Sequence, residues 1–252
     1  LVFPQLGLND DEQLAFTDKL GSRVNFTKSV PGGNSAAPDV YEITLDQKVN
    51  NQPEYVLGTW FWHIDGVTMD IPLPKATLLT ARKLSETGGQ TEFANTYKAY
   101  ESLSSEMKEM LEDLQVVHKL ETSLRQIFDD PGEGRKDRWR KQADVMVRPI
   151  VWKHESGRKS LLIGNHADYI LGMPLADGRA LITRLMEWAG QPDFSYSHQW
   201  QEGDLVIWDN CGTMHRVVPY AVGSGRSMHR TTIAGSDIVK GSYVFEDEAV
   251  SA

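Results

Sequence analysis

Apolar residues in this 252-residue chain recur in short runs more often than in long helical stripes. Asn9-Asp10-Asp11-Glu12 places a cap and acidic side chains ahead of Leu14, Ala15, Phe16 and Leu20, with Gly21 as a stop; this predicts a helix. Residues 22–58 mix Pro, Gly and Asn with short apolar runs and read as strands and loops. Val56 to Met69 has strand character, and Ala76 to Lys83 reads as a buried strand. Ser104 caps a helix with Met107, Met110, Leu111 and Leu114 on one face. The polar, charged stretch 128–142 predicts a mobile surface loop, part of a lid or insert over 118–148. Residues 149–153 and 159–163 flank Glu155-Ser156-Gly157 and form a hairpin pattern. Gly178 to Gly190 reads as a helix with Leu181, Ile182, Leu185, Met186 and Ala189 inward. Gly203 to Trp208 and Arg230 to Ala234 read as later strands. Short strands outnumber helices without alternating regularly with them. The expected class is mainly β with flanking helices, a sandwich or barrel rather than a doubly wound sheet.

Composition narrows the setting. Apolar residues are 40% and charged residues 24% of the chain, a globular balance with a core large enough to enclose a site, expected as one domain over 1–252. No run approaches 18 apolar residues and the mean hydropathy is −0.40, so no membrane span is expected. A net charge of −9 repels a phosphate backbone and argues against nucleic acid as a partner. The single cysteine, Cys211, allows no internal disulfide and points to a reducing, cytoplasmic setting. The opening Leu1-Val2-Phe3 reads as a strand cut from a longer, N-terminally incomplete protein. Assembly into a homo-oligomer stays open.

Several chemistries lack their signatures. There is no G-x-S-x-G elbow, no glycine-rich phosphate loop and no G-x-G-x-x-G. Cys211 alone reads as a packed residue. Histidine with carboxylate remains: His-x-Asp occurs as His63-Ile64-Asp65 and as His166-Ala167-Asp168. At a strand end, residues i and i+2 leave one face and can grip one metal from adjacent corners. A distant histidine would complete a two-His-one-carboxylate triad that leaves open positions on Fe(II), and His215 is the candidate. His118, His154, His198 and His229 read as solvated or packed, and Trp60, Trp62, Trp200 and Trp208 as core or pocket wall.

Four motifs then stand in one order: Trp62-His63-x-Asp65; Gly88-Gly89-x-Thr91-Glu92-Phe93-Ala94; Gly203-Asp204-Leu205-Val206-x-Trp208-Asp209-Asn210 followed by His215-Arg216; and Arg226-x-x-x-Arg230-Thr231. Together they resemble the taurine dioxygenase / 2,4-dichlorophenoxyacetate dioxygenase family. The segment Gly157-Arg158-Lys159-Ser160-Leu161 leans toward the aryloxyalkanoate branch. The resemblance implies a double-stranded β-helix (jelly-roll) core, with Fe(II) as metal and 2-oxoglutarate and O2 as co-substrates. By position it makes His63, Asp65 and His215 the iron ligands. It makes Arg226 and Thr91 the holders of 2-oxoglutarate, and Arg230 the contact for the substrate's anionic group. His166-x-Asp168 is then a decoy. The sequence departs from the family at Cys211 and Gly212, where Arg and a small residue are common, which puts the packing beside His215 in question.

The reaction so implied hydroxylates an aliphatic carbon of a small organic acid, aryloxyalkanoate-like, and releases succinate and CO2. The alternatives are the same iron chemistry on a sulfonate, sulfate ester or amino-acid-derived metabolite, including desaturation or cyclisation, or a jelly-roll metal-binding protein without turnover. Arg226 and Arg230, four apart, should share one strand face roughly 13 Å apart.

Overall fold

A computed structural model describes residues 1–24, 39–69 and 72–245; the part of the expected strand-and-loop segment over 25–38 lies outside them. In chain order the elements are β1 (Val2–Phe3), α1 (Asp10–Leu20), β2 (Tyr41–Thr44), α2 (Glu54–Leu57), β3 (Ala76–Lys83), β4 (Thr91–Asn95), α3 (Thr96–Glu101), α4 (Ser105–Leu111), β5 (Gln115–His118), α5 (Leu120–Arg125), α6 (Glu133–Gln142), β6 (Met146–Pro149), β7 (Val151–Lys153), β8 (Lys159–Leu161), β9 (Ala167–Ile170), α7 (Leu175–Gly190), β10 (Ser195–His198), β11 (Leu205–Asp209), β12 (Thr213–Val217), β13 (Ser227–Ile233) and β14 (Tyr243–Val244).

All the strand pairings are antiparallel. One sheet runs β1-β11-β3-β13-β2, a second β10-β4-β12, a third β14-β6-β5-β9, and β7-β8 is the expected hairpin. The chain is thus mostly β with helices packed around it. Its central strand β3 is buried on both faces, as its near-continuous apolar run requires. One face, through Leu78 with Leu205 and Ile233, packs on Phe16 of α1. The other, through Leu79 and Ala81 with Val206, Trp208 and Met228, packs on Phe93 of β4. The first and second sheets therefore face each other, and the candidate site lies between them. A separate core joins the third sheet, the hairpin, α3 and α7 through Val116, Trp152, Leu162 and Leu185. No helix among the described residues is long and apolar enough to cross a membrane.

The cap reading of α1 is met in full: Asn9 and Glu12 exchange hydrogen bonds of 2.9 Å in a capping box. Its fully buried positions, however, are polar. Gln13 donates to the His229 carbonyl at 3.1 Å, and the Thr17 and Thr231 hydroxyls meet at 2.7 Å, while Leu20 is exposed. Two elements depart from expectation. Val56 to Met69 is not a strand: it comprises the end of α2, a 3₁₀ turn over 58–60, an isolated bridge at His63 and a turn after it. The stretch 128–142 is not chiefly loop, because α6 fills 133–142. Trp139 is fully buried there, stacked on Phe128, and Arg140 pairs with Glu121 of α5 at 2.7 Å.

Candidate active site

His63 and His215 are brought together by backbone pairing. Each donates its amide to the other's carbonyl, at 3.0 and 2.9 Å, which docks the segment before Asp65 onto the edge of β12. The two rings then stand 4.2 Å apart between centroids. Gly66 follows Asp65 at φ +80°, and a Cβ there would fall 2.6 Å from Pro74, so only glycine makes this turn. His63, Asp65 and His215 each offer a ligand atom within 4.8 Å of the others. His166 and Asp168 do not join them. His166 bonds its buried neighbour His118 through Nδ1 at 2.8 Å, and Asp168 pairs with Lys119, Arg125 and Arg179. His154, His198 and His229 are likewise held in local contacts with Asp237, Asp204 and Asp10.

The three side chains offer lone pairs in one small space. The Phe61 carbonyl accepts from His63 Nδ1 at 2.9 Å, which leaves Nε2 with its lone pair facing Asp65, 3.9 Å from Oδ1. Burial lowers the His63 pKa against the pull of Asp65, and lowers that of His215 to about 3, so both rings are neutral donors at neutral pH. Burial would raise the Asp65 carboxyl, but Arg230, His215, His63 and the Thr77 hydroxyl outweigh it and hold it at about 2. His215 Nδ1 is a buried ring nitrogen without a hydrogen-bond partner. Two neutral imidazoles and a carboxylate, with an orphaned nitrogen among them, fit one divalent first-row metal with positions left open.

Residues that sequence reasoning missed complete this arrangement. The Trp208 indole donates to Asn210 at 2.8 Å, Asn210 donates to Thr77 at 2.8 Å, and Thr77 donates to Asp65 Oδ2 at 3.1 Å. Trp208-Asp209-Asn210 of the third motif was the signal for this chain, yet nothing in sequence pointed to Thr77. Arg148, 3% exposed, donates to the Val67 and Met69 carbonyls at 2.8 and 2.6 Å and so holds the loop beyond Asp65. Cys211 is buried, and its carbonyl accepts from Ser160 at 3.1 Å; beside it Gly212 leaves the room that the Tyr97 ring fills.

Arg226 lies beside the triad, 3% exposed. Its Nη2 donates to the Gly89 carbonyl at 3.0 Å, its guanidinium sits 4.8 Å over the Tyr220 ring, and its Nε has no hydrogen-bond partner. Among the described residues it forms no ion pair with a carboxylate. Burial of the cation lowers its pKa. Gly89, at φ +81°, is required here because a Cβ would stand 2.9 Å from Arg226 Nε. The Thr91 hydroxyl, buried on β4, accepts from Trp200 at 2.9 Å and keeps its own proton to donate. Thr91, Arg226, Arg230, His63 and His215 line one cavity of about 40 Å³. A neighbouring cavity of about 170 Å³ is lined by Asp65, Tyr41, Tyr55, Val56, Leu120 and Leu124, and His63 and Arg230 face both. Larger hollows of about 680 and 510 Å³ lie elsewhere and touch none of the triad.

Arg230 is not placed as simple alternation with Arg226 implies, since Arg226 precedes β13 and the register shifts between Ser227 and Met228. Both still reach the same cavity. Arg230 donates to Asp65 Oδ1 at 3.3 Å and lies 5.1 Å over the Tyr41 ring.

The family model "Taurine catabolism dioxygenase TauD, TfdA family" matches residues 1–232. An alpha-ketoglutarate-dependent 2,4-dichlorophenoxyacetate dioxygenase of Burkholderia sp. is 35% identical over 246 residues, 93% of this chain and 81% of that protein. An (S)-phenoxypropionate/alpha-ketoglutarate-dioxygenase of Sphingobium herbicidovorans is 32% identical over 244 residues, 93% of this chain and 82% of that one. The crystal structure of AAD-2 in complex with Mn(II) and N-oxalylglycine superposes with a TM-score of 0.76 at 33% identity, covering 95% of this chain and 83% of that one. The chain belongs to the TauD, TfdA family, and it is an Fe(II)- and 2-oxoglutarate-dependent dioxygenase.

Proposed function

We propose that this dioxygenase oxidises an aliphatic carbon of a small organic anion of aryloxyalkanoate type. The observation that carries the reading is Arg226, a buried guanidinium in the triad's cavity with no carboxylate partner among the described residues. An uncompensated buried cation is costly unless a ligand supplies the anion. Its planar fork suits the distal carboxylate of 2-oxoglutarate, with the Thr91 hydroxyl as a second donor. His63, Asp65 and His215 are the metal ligands in this reading. Phe61 and Thr77 set their orientation by the hydrogen bonds described. Iron bound there supplies O2 activation coupled to conversion of 2-oxoglutarate into succinate and CO2.

The substrate occupies the cavity of about 170 Å³, with Val56, Leu120 and Leu124 covering its apolar body and keeping water out. Arg230 reaches its anion from beside Asp65. We read the two facing sheets as the two halves of a double-stranded β-helix, the segment 118–148 as the cover of the substrate cavity, and the buried Cys211 as fitting a reducing, cytoplasmic setting. The test measures 2-oxoglutarate consumption with Fe(II) under air across phenoxyacetate, phenoxypropionate, an alkyl sulfate, and the methyl ester of phenoxyacetate. Stimulation by the phenoxy acids and not by the ester is expected. Equal turnover of the ester would contradict an anionic substrate, and stimulation by the alkyl sulfate alone would move the reading to sulfate esters.

A further inference from the structure

The two oxygens of Asp65 are not equivalent. Oδ2 accepts from Thr77 at 3.1 Å, and that hydroxyl is fixed in turn by Asn210. Oδ1 is the oxygen that faces His63 Nε2, at 3.9 Å, and it is also the oxygen on which Arg230 rests, at 3.3 Å. A cation held between His63, Asp65 and His215 would therefore meet the guanidinium on the carboxylate oxygen that it needs. Arg230 has somewhere to go. Its guanidinium lies 5.1 Å over the Tyr41 ring, and the side chain lines both the cavity beside Arg226 and the cavity of about 170 Å³.

We propose that Arg230 is a charge switch: it neutralises Asp65 while the triad lacks a metal, and a divalent cation displaces it from Oδ1 toward the anion of the substrate. The inference rests on the triad being the metal site. A cation and a guanidinium repel each other across one carboxylate oxygen, so metal occupancy and the Arg230–Asp65 pair oppose each other. An anion that pairs with Arg230 relieves that repulsion. By linkage, the anion then tightens the metal by the same factor that the metal tightens the anion. Arg230 thus weakens metal binding when no anion is present and ceases to weaken it when one is.

The experiment titrates Mn(II) into metal-free protein near neutral pH and follows free Mn(II) by electron paramagnetic resonance. Wild type, Arg230→Met and Arg230→Lys are compared, each with and without phenoxyacetate, and circular dichroism checks the fold. Without phenoxyacetate, Arg230→Met should bind Mn(II) about fivefold or more tighter than wild type, with Arg230→Lys between them. Saturating phenoxyacetate should tighten Mn(II) in wild type by about fivefold or more and leave Arg230→Met within about twofold. Mn(II) affinity in Arg230→Met equal to or weaker than wild type overturns the switch, as does an equal effect of phenoxyacetate on both. Should the methionine variant not fold, Arg230→Gln carries the same expectations. Equal Mn(II) binding by wild type and His215→Ala would instead remove the metal-site reading, and the switch with it.

Discussion

Arg226 offers the sharpest quantitative test of how the co-substrate is held. Its guanidinium is buried, is satisfied by one carbonyl and one aromatic face, and keeps Nε unpaired. A charge-assisted pair contributes about 1.5–3 kcal/mol, so Arg226→Met should weaken 2-oxoglutarate by roughly 10–150-fold. Binding can be read as thermal stabilisation of Mn(II)-loaded protein without O2. At a ligand concentration about 100 times the wild-type Kd, stabilisation is about 2.7 kcal/mol, or roughly 5–11 °C in Tm for a chain of this size. In the variant the same concentration is only about 0.7–10 times Kd. Stabilisation then falls to about 0.3–1.4 kcal/mol, a shift of about 1–6 °C. Arg226→Lys keeps the charge without the fork and should lie between. A Tm shift in Arg226→Met as large as in wild type would refute the reasoning and assign the co-substrate's anion to another group.

Metal-free protein should lose stability as pH falls from about 6.5 toward 3. His215 and His166 sit near 3 when folded and His63 and His118 are also lowered, so protons favour the unfolded chain, where histidine titrates near 6.5. The urea midpoint measures this, and a midpoint flat between about pH 7 and 5 would contradict it. Trp139→Ala should cost about 3–5 kcal/mol, or about 6–20 °C in Tm, because the ring is fully buried against Phe128. A drop under about 3 °C would show instead that α5 and α6 open independently of the rest. Arg148→Met frees the Val67 and Met69 carbonyls, so amide hydrogen exchange over 66–69 should accelerate; unchanged exchange would remove Arg148 as the holder of that loop.

The cluster of His63, Asp65 and His215 was legible in sequence through the ordered motifs and the family they resemble, since His-x-Asp alone also occurs at His166 and Asp168. Arg226 and Gly89 were legible as motif members, and the structure supplies their reason: the glycine clears space for the guanidinium. The groups that orient the triad were not. Thr77 reaches Asp65 from a separate strand and the Phe61 carbonyl is main chain beside His63, and neither a threonine nor a backbone carbonyl carries such a mark. Val56 to Met69 was misread because the apolar Val56, Leu57, Trp60 and Ile64 suit a strand but are buried by tertiary contacts around a short helix and a turn. Helix α6 was missed for the opposite reason. Its composition is almost wholly polar, and one tryptophan with ion pairs to α5 and α2 docks it, so no apolar stripe announces it. In α1 the buried positions are Gln13 and Thr17, which a hydrophobic pattern cannot find.

In the reading proposed above, one iron sits between His63, Asp65 and His215. Anomalous diffraction at the iron edge, from anaerobic crystals grown with Fe(II) and 2-oxoglutarate, tests it most directly. A single strong peak is expected within coordination reach of a nitrogen of each histidine and of Asp65 Oδ1. The peak should also vanish in His215→Ala while the fold persists. A peak at the His118–His166 pair, or full occupancy of the triad in the alanine variant, would contradict it.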